Sequence, residues 1–412
     1  MTFRFPFLVC AALLAAIVLP QATPALSQTA DITIRDRGSR TLPVSFAGLR
    51  GDGSREAQLF LQVVRADLDR SGWLRVVDNP NASARVEGIA TGGGGLGANL
   101  RIVAPSGAAT PWQQRAAGTP GAVRTLAHVA ADEILLRITG HKGMASAPIL
   151  FVGKAGGGSD IYSCDPDGGN FRRLTNDGKI CLSPRWFANR SGFLYTAFLK
   201  NFGGVYRADF TPGGSLRRTT LAQYPGLNNG AVASPDGKLV ALVLSYTGNV
   251  ELYVMNLQSK RLTRLTRTPH ANEASPTWSP DGKTIAYVSD AGRTPQIHVI
   301  RPGDREGRRL IHNLQESVAP DYAPDGRIAF CGKPRGGRYG IYVASSAGAY
   351  SRVSPDDGAS WEDPSWAPDG RHIVATRTAG GRRTLVILDS ETGSKVELTA
   401  KPGEWYLADW AK

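Results

Sequence analysis

Pro276-Thr277-Trp278-Ser279-Pro280-Asp281-Gly282-Lys283-Thr284-Ile285-Ala286-Tyr287-Val288 reads as the aromatic end of one strand, a Pro-Asp-Gly turn and the start of a second strand. Proline presets φ for the turn and glycine tolerates positive φ. Trp278, Ile285, Tyr287 and Val288 are residue types that pack well on a pleated surface. The stretch repeats. Ser234-Pro235-Asp236-Gly237 precedes it, and Ala323-Pro324-Asp325-Gly326 and Ala367-Pro368-Asp369-Gly370 follow, with the turn prolines 45, 44 and 44 residues apart. A weaker copy, Arg185 to Tyr195, aligns without a gap, and a truncated one, Ala408-Asp409-Trp410-Ala411-Lys412, stops where the turn proline would stand. Each full copy continues into a third strand such as Gln296 to Ile300 and a fourth near Arg309 to Ile311. A period near 44 residues with four short strands is the signature of β-propeller blades.

Counting the copies closes a ring. Six innermost strands are present, the last at the C-terminus, but only three strands precede the first full copy: Pro148 to Val152, Asp160 to Cys164 and Phe171 to Thr175. The first blade therefore lacks its inner strand and the chain's end supplies it. The expected fold is mainly β: a six-bladed propeller over 148–412, preceded by a small α/β domain over 28–140 and a linker at 141–147.

The remaining segments read as follows. Residues 1–27 have the form of a secretory signal peptide: Arg4, an apolar run from Phe7 to Leu19, Pro20, then Ala25-Leu26-Ser27 ahead of a cleavage point before Gln28. Cys10 lies inside the apolar run behind Val9, which disfavours a lipoprotein site, and no other stretch is apolar enough to span a membrane. Ile32 to Ile34, Leu42 to Phe46, Trp73 to Val77 and Ala84 to Ala90 read as strands. Ser54 to Ser71 reads as a helix with Ala57, Phe60, Leu61, Val64 and Leu68 on one face and Gly72 as its stop. A second helix opens at Thr119-Pro120 and ends at Gly140, with Val123, Leu126, Ala127, Ala130, Ile134 and Ile138 inward. Thr91 to Gly97 is a hairpin tip; its glycines precede no helix and make no phosphate loop.

Several function classes lose support. The formal charge of +13 falls to +12 without the leader and is dispersed, with no basic stripe for nucleic acid. There is no Gly-x-Ser-x-Gly elbow, no HExxH helix and no CxxC pair. Asp165, Asp167, Asp236, Asp281, Asp325 and Asp369 sit in turns, where aspartate bonds its own backbone. Trp186, Trp278, Trp366 and Trp410 fit blade packing. Cys164, Cys181 and Cys331 are odd in number, so a Cys164–Cys181 bridge and three buried thiols both stay open. No catalytic residues, cofactor or metal ligands are expected.

Two helix motifs make the pattern specific. Val64-Arg65-Ala66-Asp67-Leu68-Asp69-Arg70-Ser71-Gly72, and His128-Val129-Ala130-Ala131-Asp132-Glu133-Ile134 followed by Thr139-Gly140-His141-Lys142-Gly143, resemble the TolB family of periplasmic propeller proteins, as do Leu252 to Leu257 and the Trp-Ser-Pro-Asp-Gly repeat. The resemblance covers essentially the whole mature chain. It implies a non-enzymatic periplasmic scaffold of the Tol–Pal system, acting in envelope integrity and constriction during division. It also implies partners: a Pal-like peptidoglycan-associated lipoprotein at the propeller mouth, a TolA-like inner-membrane protein at the N-terminal segment, and further outer-membrane or peptidoglycan-associated proteins. Loops converging on one mouth give the lipoprotein candidates Asn228, Asn229, Asn272, Glu273, Gln315, Glu316, Trp361 and Glu362, with Trp361 expected to be an exposed aromatic anchor. Asp31, Ile32, Thr33, Ile34 and Arg35 are the candidates for the inner-membrane partner. A propeller hydrolase or lyase, or a glycan-binding propeller, is the competing reading.

Overall fold

The Pro-Asp-Gly turns do what their residues dictate. Gly237, Gly282, Gly326 and Gly370 all take positive φ, and Asp236, Asp281 and Asp325 each accept from the backbone N–H two residues on, at 3.1 Å. A computed structural model of the chain describes residues 41–155, 157–199, 202–398 and 402–412. The expected signal peptide, the expected strand at 32–34 and the candidates Asp31 to Arg35 lie outside the described residues.

Residues 41–140 form a five-stranded sheet and two helices. β1 (Leu42–Gly51), β2 (Leu74–Val77), β3 (Ala84–Thr91), β4 (Gly95–Val103) and β5 (Ala109–Ala117) take the order β2-β1-β3-β4-β5, with β1 parallel to both neighbours and the rest antiparallel. α1 (Arg55–Arg70) starts at Ser54, whose hydroxyl accepts from the Ala57 N–H, and α2 (Pro120–Thr139) ends on Gly140 at φ +77°. Phe60, Val64 and Leu68 of α1 and Val123, Ala127 and Ile134 of α2 bury against Val44, Val86 and Ile102 of the sheet. Leu61, expected inward, is only partly buried, and Val63 takes that face instead.

The rest of the chain is six four-stranded antiparallel blades. Their inner strands are Trp405–Trp410 in blade one, then Cys181–Trp186, Asn228–Ala233, Glu273–Trp278, Glu316–Tyr322 and Ser360–Trp366 in blades two to six. In blade one the C-terminal strand pairs with Ile149–Ala155, placing Trp410 opposite Ile149. Trp410 Nε1 donates to the Ala147 carbonyl at 2.9 Å, and the Ala411 N–H to that of Pro148 at 3.0 Å. The ring thus closes within a sheet, leaving no open sheet edge at the junction of the two ends.

One device recurs in all six inner strands. Ser183, Gly230, Ser275, Ala319, Asp363 and Leu407 occupy the left-handed region, with φ between +48° and +64°, and each coincides with a shift of register. An unpaired extra residue bends a strand and sharpens its twist, and five of these six are not glycine, a strained choice. The residues two positions earlier are Cys181, Asn228, Glu273, Ser317, Trp361 and Trp405, all at most 7% exposed. Cys164, Cys181 and Cys331 are buried, and no disulfide joins them to one another. No described helix is long and apolar enough to cross a membrane.

Candidate partner-binding face

In an antiparallel blade the turns joining strands one to two and three to four lie at one end. The loops joining two to three, and the crossings to the next blade, lie at the other. At the turn end, the helical domain docks on turns of blades one and six. His128, 1% exposed, faces Asp67 of α1 through Nδ1 at 2.6 Å and Asp165 of a blade-one turn through Nε2 at 3.2 Å. Arg124 pairs with Asp167 of the same turn. From blade six, Arg371 donates to the Gly72 carbonyl at 3.0 Å, pairs with Asp389 at 2.6 Å and lies 4.7 Å over the Trp73 ring. Trp73 in turn stacks on His141. Asp132 accepts from Ala145 and Ser146 N–H groups, both at 2.9 Å, so α2 grips the connecting segment.

Burial alone would lower the pKa of His128, but the carboxylates of Asp165 and Asp67 outweigh it and raise the imidazole to about 9. Asp67, His128 and Asp167 bring possible metal-ligand atoms within 4.8 Å of one another. Both His128 nitrogens and the Asp167 carboxylate already have charged partners, so the chemistry of this trio is that of a charge-paired joint.

Near the turn end the inner strands are bridged by charge across the ring. Arg185 of blade two lies 3.4 Å from Asp321 of blade five and 3.2 Å from Asp409 of blade one. Lys412 Nζ lies 2.8 Å from Asp321 and donates to the Tyr322 carbonyl at 2.5 Å. The same carboxylates link blades: Asp409 accepts from the Trp186 N–H at 2.7 Å and Asp321 from the Trp366 N–H at 2.8 Å.

The sequence-derived mouth residues lie on the inner strands and loops of the other end, but several are not surface groups. Trp361 is 0% exposed; it packs with Ala359 and Trp366, and its Nε1 donates to Asp357 at 3.1 Å. Its expected exposure is therefore overturned. It occupies the buried position two residues before the left-handed bulge, which Trp405 fills in the next blade. Asn228 and Glu273 hold the same position and are each 1% exposed. Asn228 staples its loop through Tyr224 N, Tyr224 O and Gly203 O. Glu273 accepts from Thr268 at 2.8 Å, and burial raises it to about 7. Glu316 is buried beneath Lys333 and the Tyr339 hydroxyl. Asn272 and Gln315 are exposed, whereas Asn229 and Glu362 are half-buried. Asn272 holds Asp290 at 2.6 Å and Asn229 accepts from Thr196 at 2.9 Å.

Residues 135–412 match the TolB beta propeller domain family, about two thirds of the chain. The chain belongs to the TolB propeller family. It is 26% identical over 316 residues to a TolB homolog from Chlorobium chlorochromatii, covering 70% of each chain. It is 27% identical over 191 residues to one from Chlorobium luteolum, spanning 42% of that relative's length. The crystal structure of TolB from Acinetobacter baumannii superposes with a TM-score of 0.77 at 22% identity, covering 90% of this chain and 97% of that one. At that identity the likeness speaks for the fold. In this TolB-family chain the two helix motifs supply Asp67, His128 and Asp132, the polar groups that fasten the helices to the propeller and its connecting segment. Sequence reading singled those residues out as motif members and did not assign them to the joint. Arg371 was missed altogether, because nothing local marks a turn arginine as a partner for Gly72.

Proposed function

We propose that the chain is a non-enzymatic, protein-binding component of a periplasmic Tol–Pal system, taking a Pal-like peptidoglycan-associated lipoprotein at the open end of the propeller. The observation that carries this reading is the division of the two ends: one carries the helical domain on its blade-one and blade-six turns, and the other presents loops of the blades around family-type inner strands. A rigid ring of loops is a preorganised protein-binding surface, since little ordering entropy is lost on docking. The N-terminal segment Asp31 to Arg35 is the proposed site for a TolA-like inner-membrane protein, and residues 1–27 the export signal. Envelope integrity and outer-membrane constriction in division are the processes such links would serve.

The test is a calorimetric titration of residues 28–412 with the soluble domain of the lipoprotein from the same organism, and with the TolA C-terminal domain before and after removal of residues 28–35. Saturable lipoprotein binding, with TolA binding lost on truncation, supports the reading. Turnover of a cell-wall or uronate polymer without either binding would replace it with an enzymatic one.

A further inference from the structure

We propose that the open end of the propeller is a two-part docking surface, apolar on blades two and three and cationic on blades four and five, and that its partner is a folded protein presenting acidic side chains beside an apolar patch. This deepens the reading that the face binds a protein and rests on it.

The apolar part consists of Phe198 at 40%, Phe202 at 37%, Leu227 at 41% and Tyr246 at 42% exposure. They come from three loops that the structure ties together. Asn228 donates to Gly203 O at 3.1 Å and to Tyr224 O at 2.7 Å, linking the blade-two loop to the crossing into blade three. Ser245 Oγ accepts from the Leu227 N–H at 2.8 Å, and Tyr246 stacks on Tyr224 with centroids 4.8 Å apart, adding the blade-three loop. Half of the eight large hydrophobic residues exposed among the described ones fall on these adjoining loops, so they form a patch and are not scattered singly. A contiguous apolar patch on a soluble protein marks an interaction site.

The cationic part follows around the same rim. Arg267 precedes blade four, Arg293 lies in its loop, and Arg335 and Arg338 lie in the loop of blade five; all four are exposed, with no carboxylate within ion-pair distance among the described residues. Among the acids of this arc, Glu251 is held by Arg264 at 2.6 Å, Glu316 by Lys333 and Tyr339, and Glu273 is buried; Asp290 is hydrogen-bonded by Asn272, a neutral partner, and its single charge stands against the four arginines. The unmatched charge on this sector is positive. Arginine favours bidentate pairing with carboxylates, and complementary charge raises the association rate and fixes orientation. The cations favour an acidic partner and the apolar sector beside them favours one that also presents apolar side chains, a combination that a folded protein surface offers.

Titration of the lipoprotein's soluble domain tests this with three double variants: Phe198→Ser with Leu227→Ser, Arg335→Glu with Arg338→Glu, and, at the turn end, Lys238→Glu with Lys283→Glu. Each open-end pair is expected to weaken binding by about tenfold or more. Wild-type affinity should fall with salt, more steeply than for the arginine variant, and the turn-end pair should leave it unchanged. Lipoprotein binding that is indifferent to the arginine pair and to salt overturns the two-part surface while leaving the lipoprotein reading intact. If wild-type protein binds no lipoprotein, that reading fails, and photo-cross-linking in cells decides the surface. Benzoylphenylalanine in place of Leu227 and in place of Arg335 should then capture one and the same protein through an acidic segment. Capture of different proteins, of polyanions only, or of nothing overturns the proposal.

Discussion

The guanidinium of Arg185 in blade two lies 3.4 Å from the carboxylate of Asp321 in blade five, on the far side of the ring. Asp321 is simultaneously held by Lys412, the last residue of the chain. Opposite blades are therefore joined through charge where the inner strands meet, and the C-terminus is part of the joint. Arg185→Met should cost roughly 3 kcal/mol, because the buried Asp409 loses its ion-pair partner while Lys412 still neutralises Asp321. Denaturant melts of Arg185→Met, Asp321→Asn and the double variant check this: the double variant should lose clearly less than the sum of the singles.

Closure of blade one by the terminal strand makes a second prediction. Trp410 is 1% exposed, and Asp409 beside it accepts the Trp186 N–H. Trp410→Ala should cost roughly 3–5 kcal/mol as a core cavity. Removal of residues 406–412 should do more, since it strips the inner strand from Ile149–Ala155 and uncovers a sheet edge. A truncated chain that melted within a degree or two of the full-length protein would falsify the closure.

Trp361 belongs to stability. Its ring is fully buried, with Arg377 5.7 Å and Lys395 5.5 Å from its centroid. Trp361→Ala is expected to lower the unfolding free energy by roughly 3–5 kcal/mol, and Trp361→Phe by less because only the Asp357 bond and part of the volume go. Thermal melts of both decide it; an unchanged midpoint for the alanine variant contradicts the burial.

The joint at His128 should be sensitive to pH. Its folded pKa of about 9 lies above the usual histidine value, so the charged imidazole stabilises the fold fully below about pH 6.5, and this contribution fades as pH rises through about 9. The full effect is at most about 3 kcal/mol. The wild-type midpoint should decline between pH 6.5 and 9.5, whereas His128→Gln should be less stable at pH 6.5 and nearly flat across that window. Parallel slopes for the two proteins would show that His128 is not the titrating group.

Arg371 offers a separate check on the same joint. Arg371→Ala leaves Asp389 buried at 5% exposure without its cation and uncovers Trp73. A loss of about 3 kcal/mol is expected, together with faster proteolytic cutting in 141–147, because Gly72 loses its donor from blade six. Unchanged cutting would place the fastening elsewhere.

The sequence by itself determined the ring. Pro-Asp-Gly turns, alternating strands and a period near 44 residues are local patterns, and counting six inner strands against three leading ones was enough to predict closure by Trp405–Trp410. The helix limits were equally local: Ser54, Thr119-Pro120 and Gly140 cap the helices through bonds made within a few residues. The period even held the correction to Trp361, which stands 44 residues before Trp405, in register with a buried position. Aromatic type and loop proximity suggested exposure, and only the left-handed bulge two residues later fixed which way the ring turns. The tertiary structure alone decided the rest. His128 meets Asp67 and Asp165 across 61 and 37 residues, Arg185 meets Asp321 across 136, and Arg371 meets Gly72 across 299. Charge pairing depends on distance in space, which no local pattern encodes. For the same reason the rim's character, most acids held by partners or buried and arginines and aromatics left outward, became readable only once each acid's partner was in place.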